Sequence, residues 1–206
     1  GCTPVNAAIL NRDTETAFTV QTLSLAMDEG AIIRQKKIAL TGVETAGSLL
    51  NAAAEEGAML LCDALSEIAK TRQMLVGTPQ MGEASYTTII KKEDAKIDWT
   101  KSAEEIDAFV RAYSPEPCAW TTENSRPLKI LAGKMLPSNA AQSSGRNPAC
   151  GTILGFEKNV GILVQCGSGY YAITELQRQG KNAAQAKDFI NGARDFIGTV
   201  LDAVDK

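Results

Sequence analysis

The sequence predicts an α/β fragment followed by a small antiparallel β-barrel or sandwich with flanking helices. Three observations carry the prediction. Two short stretches with period-two alternation precede one long amphipathic stretch within residues 4–71. A weakly periodic segment holding Gly, Pro and Ser follows at 72–95. Short strand-like runs separated by Gly, Asn and Ser then fill most of the remaining chain.

The elements follow in order. "PVNAAILN" (4–11) reads as a short helix with Val5, Ala8 and Ile9 on one face. "TAFTVQTL" (16–23) alternates and reads as a strand, and "AIIRQKKIAL" (31–40) reads as a second, partly exposed one. Thr41-Gly-Val-Glu44 has capping-box form, so a helix is expected from there to about residue 70. In it Leu50, Ala53, Gly57, Leu60, Leu61, Ala64, Leu65 and Ile68 recur at three- and four-residue steps as one apolar stripe. Two strands are too few for an independent core, so residues 1–75 are expected to be a fragment of a larger α/β domain. Residues 76–94 are the expected linker and 95–206 the second domain. Ser102-Ala-Glu-Glu105 is another capping box, and Ile106, Phe109, Val110 and Tyr113 form a stripe stopped by Ser114-Pro115-Glu116-Pro117. Strands are expected at 118–122, 127–136, 151–156, 160–167 and 169–176, then a helix through "AAQAKDFINGAR". Tyr170 and Tyr171 are adjacent on a strand, so one is expected inside and one outside.

Composition excludes several classes. With 44% hydrophobic and 22% charged residues the chain is globular rather than disordered or fibrous. No apolar run approaches the roughly 18 residues a membrane helix needs. The start, Gly1-Cys2-Thr3-Pro4, has no initiator Met and no signal-peptide core, and reads as the middle of something. The five cysteines are scattered, with no C-x-x-C pair and no histidine, so no metal site is expected and the thiols read as reduced. Residues 1–71 hold five basic against nine acidic residues, and 72–206 hold sixteen against fifteen. No single-sign field announces a nucleic-acid binder, although a local basic face on the second half stays open.

"LSLAMDEGAII" (23–33) is the stretch with two readings. Asp28-Glu29-Gly30 between two strands is turn punctuation by composition. A carboxylate there could also do chemistry, in a chain that lacks the commonest proton-transfer side chain.

The motifs carry a resemblance. "GCTP", "AILNRDTETAFT", "MDEGAII", "ETAGSLLNAAAEEGAMLL", "AKIDWTKSAEEIDAFVRAYSPEPCAW", "CGTILG" and "LQRQGKNAAQAKDFINGAR" together resemble the folate-dependent formyltransferases, in particular members acting on initiator methionyl-tRNA. The likeness runs nearly end to end, and the long stretch opening the second domain is the most specific part. Arg12 and Ala17 stand where the family usually has glycines. Met27 replaces a Leu, and Ser24 and Ala26 replace a more acidic, Gly-containing loop. The family's catalytic Asn and His lie in an N-I-H motif ahead of this start, so the resemblance implies that the N-terminal half of the catalytic domain is absent from this chain.

The resemblance implies a fold, a reaction and sites. The first part becomes the C-terminal part of a Rossmann-like catalytic domain, and the second an oligonucleotide-binding-fold (OB-fold-like) barrel that cradles tRNA. The reaction is transfer of a formyl group from 10-formyltetrahydrofolate to the amino group of methionyl-tRNA in a bacterial-type cytoplasm, by a monomeric enzyme without a metal. Asp28 takes the position of the catalytic Asp, with Glu29 a solvated neighbour. Leu23, Leu25 and Met27 line the folate pocket. Lys91, Lys92, Lys96, Lys101, Arg111, Lys129, Lys134, Arg178, Lys181 and Lys187 are candidates for tRNA phosphate contacts. Trp99 and Trp120 could stack bases, with core anchoring the favoured reading. Two alternatives stay open. One is the hydrolase domain of 10-formyltetrahydrofolate dehydrogenase, where further domains follow the barrel whereas this chain stops at "FIGTVLDAVDK". The other is a non-catalytic tRNA-binding module.

Overall fold

A proline at the first turn starts the first helix, because its fixed φ suits a position whose N–H would be unpaired anyway. This α1 runs Pro4–Leu10 and buries Ala8 and Ile9. The computed structural model describes residues 2–136 and 148–202. Gly1 and residues 203–206, parts of the opening and closing motifs above, lie outside the described residues. The chain divides into two compact units, Gly1–Ile89 and Ile90–Lys206.

In the first unit β1 (Glu15–Gln21) pairs antiparallel with β2 (Ile32–Ala39), as the alternation predicts. Phe18 is the buried residue of β1. The exposed β2 lysines are paired, Lys37 with Glu15 at 2.9 Å and Lys36 with Glu56 at 2.6 Å. Helix α2 (Ala46–Thr71) has 26 residues and is about 39 Å long. Its cap differs from the expectation. Thr45 is the N-cap, in a capping box with Ser48. The Thr41–Glu44 pair lies one turn earlier and makes a different bond pattern from a box, the Thr41 amide and hydroxyl both donating to Glu44 Oε1 at 2.9 and 2.7 Å.

The apolar stripe of α2 is also corrected. Ala46, Leu49 and Ala64 are buried, whereas the predicted Leu50, Leu61 and Leu65 are about half exposed, at 54%, 47% and 54%. Three- and four-residue spacing fits two neighbouring rows on this helix, 46-49-53-60-64 and 50-54-58-61-65. The layer opposite is a two-stranded ribbon with strands about 4.8 Å apart, wide enough to cover one row. Beyond α2 the chain returns to the same unit. Ile32 and Thr78 exchange backbone hydrogen bonds of 2.8 and 2.9 Å, and the Thr3 amide donates to Thr87 Oγ1 at 2.9 Å.

The second unit opens with a 3-10 turn at Glu93–Ala95. Helix α3 (Ala103–Ala112) starts at the predicted box, Ser102 and Glu105 each capping the other's backbone. It buries Ala103, Ile106, Ala108, Val110 and Ala112. The strands are β3 (Trp120–Glu123), β4 (Arg126–Leu136), β5 (Ile153–Glu157), β6 (Gly161–Gln165) and β7 (Tyr170–Arg178). They form one antiparallel sheet in the order β3-β4-β7-β6-β5. Among the described residues this path is open, with β3 and β5 at its edges, so a closed barrel is not observed. The last predicted helix begins late: Ala184–Gln185 form a short strand, β8, on β7, and α4 spans Ala186–Gly192.

Leu128, Ile130, Ile153, Ile162, Ile173 and Leu176 are essentially fully buried and make the core. Tyr170 and Tyr171 are both buried, contrary to the in-and-out expectation. Strand β7 lies inside the sheet, and both α3 and α4 pack on it. Among the described residues no helix is long and apolar enough to cross a membrane.

Candidate functional site

Asp28 sits in the loop joining β1 to β2, and the loop's shape follows from its residue types. Asp28 is exposed and adopts φ 61°, a left-handed conformation that Asp tolerates better than most side chains. Gly30 is buried against Thr22, where an added Cβ would lie 1.6 Å from the Thr22 carbonyl oxygen. Only glycine permits that approach. It lets the Ala31 amide donate to Thr22 Oγ1 at 2.9 Å, and the Thr22 amide to the Ala31 carbonyl at 2.9 Å.

Residues the sequence reading missed hold this loop from outside. The Gln80 side-chain amide donates to the Asp28 carbonyl at 2.7 Å, the Gly30 carbonyl at 2.8 Å and Gln21 Oε1 at 2.9 Å. The Tyr86 hydroxyl donates to Glu29 Oε1 at 2.7 Å, so Glu29 is held rather than merely solvated. That bond to a carboxylate pushes the Tyr86 phenol above its ordinary pKa. Met27, Asp28, Glu29, Pro79, Gln80 and Tyr86 line a cleft of about 660 Å³, within the usual range for small-molecule sites. Leu23 and Leu25 are fully exposed and Met27 is 68% exposed.

The basic candidates lie in the second unit. Lys91, Lys92, Lys96, Lys101, Lys134, Lys181 and Lys187 are exposed. Arg111 is held by Asp107 at 2.7 Å. Arg178 makes two bonds to Glu123, at 2.7 and 2.5 Å, and lies 4.5 Å from the Phe189 ring centroid. Lys92, Lys129 and Arg178 share one cleft, and Lys181 shares its neighbour with Arg178 and Arg126, a residue the sequence reading missed. The tryptophans part company. Trp99 is a core anchor, 4% exposed, its indole N–H donating to Thr121 Oγ1 at 3.0 Å. Trp120 is half-buried on the first of these clefts, so core anchoring does not describe it.

Residues 89–194 match the family model described as "Formyl transferase, C-terminal domain". That is more than half the chain, and the chain belongs to this family. A methionyl-tRNA formyltransferase of Treponema denticola is 40% identical over 198 residues, covering 96% of this chain and 61% of the relative. One from Methylacidiphilum infernorum is 38% identical over 212 residues, covering 100% and 63%. The chain thus spans about three fifths of the length of these relatives. Among solved structures, HypX from Aquifex aeolicus in complex with tetrahydrofolic acid superposes with a TM-score of 0.66 at 15% identity, over 94% of this chain and 32% of that one. At that identity the likeness shows the fold alone.

Proposed function

We propose that this chain is the C-terminal part of a methionyl-tRNA formyltransferase, which moves a formyl group from 10-formyltetrahydrofolate to the amino group of initiator methionyl-tRNA. The observation that carries the reading is 40% identity over 96% of the chain to a relative of that name. Relatives of that name also favour transfer over the folate-hydrolase and non-catalytic alternatives. In this reading residues 1–75 complete a Rossmann-like catalytic domain, most of the expected 76–94 linker packs back on that part rather than running free, and 95–206 form an OB-fold-like tRNA-binding domain. The second apolar row of α2 packs against the part of the relatives that this chain does not span.

The folate donor supplies the activated formyl carbon. Asp28 takes up positive charge or a proton as the attacking amine loses it, directly or through a partner base. Gln80 fixes the backbone on either side of Glu29 and so fixes where the Asp28 side chain starts. Leu23, Leu25 and Met27 cover the donor's ring system and exclude water from it. Lys91, Lys92, Lys96, Arg111, Lys129, Lys134, Arg178 and Lys181 face tRNA phosphates, the two arginines oriented by their acidic partners. The reaction runs in a bacterial cytoplasm.

The test is a fusion of this chain to the N-terminal segment of the Treponema denticola relative. Formyl-methionyl-tRNA, tetrahydrofolate released without tRNA, and tRNA binding are measured in parallel. The proposal expects formyl-methionyl-tRNA. Folate release that ignores tRNA would favour hydrolysis, and binding without either product would favour a tRNA-binding module.

A further inference from the structure

The cleft on the second unit has a construction that phosphate contact alone does not explain. The register places Trp120 opposite Lys129, and Lys129 opposite Gln177. Side chains directly opposite one another share a face with Cβ atoms about 5 Å apart, so indole, ammonium and amide form one continuous row across β3, β4 and β7. Leu128 and Ile130, the neighbours of Lys129, are fully buried, which turns Lys129 to the opposite face. Pro117 and Pro127 wall the row, and Lys92 stands at its edge. The Trp120 indole N–H donates to the Lys92 carbonyl at 2.8 Å, and the Lys96 ammonium lies 5.7 Å from the ring centroid. The ring is therefore fixed in place before any ligand arrives. Among the described residues, neither Lys92 nor Lys129 has an acidic side chain within ion-pairing distance.

We propose that this cleft takes a single unstacked nucleotide of an RNA strand, its base on Trp120, its phosphate between Lys92 and Lys129, and its base edge toward the Gln177 amide. The proposal rests on the tRNA-directed reading and adds a subsite to it. Size selects one nucleotide: the cleft holds about 300 Å³, the lower end of small-molecule sites and too small for paired bases. Chemistry selects a nucleotide over an apolar ligand, because a pinned aromatic face and unpaired ammonium groups together match a base with its phosphate. The Gln177 amide nitrogen donates one N–H to the Lys181 carbonyl at 2.9 Å, which leaves its second N–H and its oxygen, a donor and an acceptor, to meet a Watson–Crick edge without demanding one base.

The chain itself provides the probe. Trp99 is buried, so fluorescence quenching by a ligand reports Trp120. The intact 206-residue chain is titrated with a 5′-phosphorylated RNA tetranucleotide, an RNA duplex of the same composition and inorganic phosphate, with initiator tRNA binding measured alongside. Saturable quenching is expected from the tetranucleotide, little from the duplex and none from phosphate. Trp120→Leu removes the reporter, so its tetranucleotide binding is read by isothermal titration calorimetry beside the wild-type chain, and it should weaken between about fivefold and a hundredfold, the range for one stacked base. Lys129→Glu, at a half-buried strand position, should weaken it while leaving the circular dichroism spectrum unchanged, which guards against a folding defect in the Trp120 variant. The absence of quenching, quenching that survives Lys129→Glu, or equal binding of the duplex would overturn the proposal. If tRNA still binds in any of those cases, the subsite fails and the tRNA reading stands. If tRNA does not bind, both fail.

Discussion

Asp28 and Glu29 are neighbours with the same charge and different surroundings. Glu29 accepts the Tyr86 hydroxyl, whereas the Asp28 backbone is gripped by Gln80 and held at a left-handed φ of 61°. In the fused enzyme Asp28→Asn should lower kcat by at least about 10²–10⁴-fold, since an amide can neither take a proton nor stabilise a charged partner. Asn tolerates the same turn geometry, so stability should change by no more than about 0.5 kcal/mol. Glu29→Gln keeps an acceptor for Tyr86 and should leave kcat near its starting value. Steady-state kinetics with thermal melts on both variants separates a reacting carboxylate from turn punctuation. The turn itself was legible in the sequence, because Asp, Glu and Gly mark it locally. The grip of Gln80 was not, because its partners lie 50 to 59 residues away and nothing near Gly77-Thr-Pro-Gln80 signals them.

At the scale of elements, α2 shows what periodicity leaves open. Spacing alone accommodates both apolar rows, and which row is buried depends on the width of the layer opposite. Leu49→Ala should therefore cost about 2–5 kcal/mol in the isolated chain, while Leu65→Ala should stay within about 0.5 kcal/mol. Denaturant unfolding of the two variants checks this. The turn before α2 makes a pH prediction. Burial alone would raise the Glu44 pKa, but hydrogen bonds from the Thr41 amide and hydroxyl and from nearby backbone amides outweigh it and lower the value from 4.5 to about 2. A depressed carboxyl stabilises the fold above its unfolded pKa, and that contribution fades as pH falls from about 4.5 toward 2. Glu44→Gln should remove this pH dependence from the first unit's unfolding transition, followed by circular dichroism. The α3 cap was readable because both partners sit three residues apart. The β8 pairing was hidden, since "AAQA" carries no strand pattern and is recruited by the edge that β7 presents at Glu175 and Leu176.

For the whole molecule, the sequence made the order of the helices and most strands legible, because periods of two and three-to-four residues and turn residues are local signals. It could not make the Trp120 row legible, because that row exists only once three strands take register. It also could not distinguish an open sheet from a closed barrel, which is a matter of edges rather than of strands. The central proposal is that this chain holds one carboxylate of a formyl-transfer site and a tRNA-facing domain; the chain itself spans about three fifths of the length of its relatives. The most direct measurement is formyl-methionyl-tRNA formation from 10-formyltetrahydrofolate and initiator methionyl-tRNA, by the 206-residue chain alone and by the fused enzyme. No product above background is expected from the chain alone, with tRNA still bound in a salt-dependent manner, and robust product from the fusion. Formylation by the chain alone, or a well-folded fusion that binds tRNA and folate yet forms no product, would contradict the central proposal.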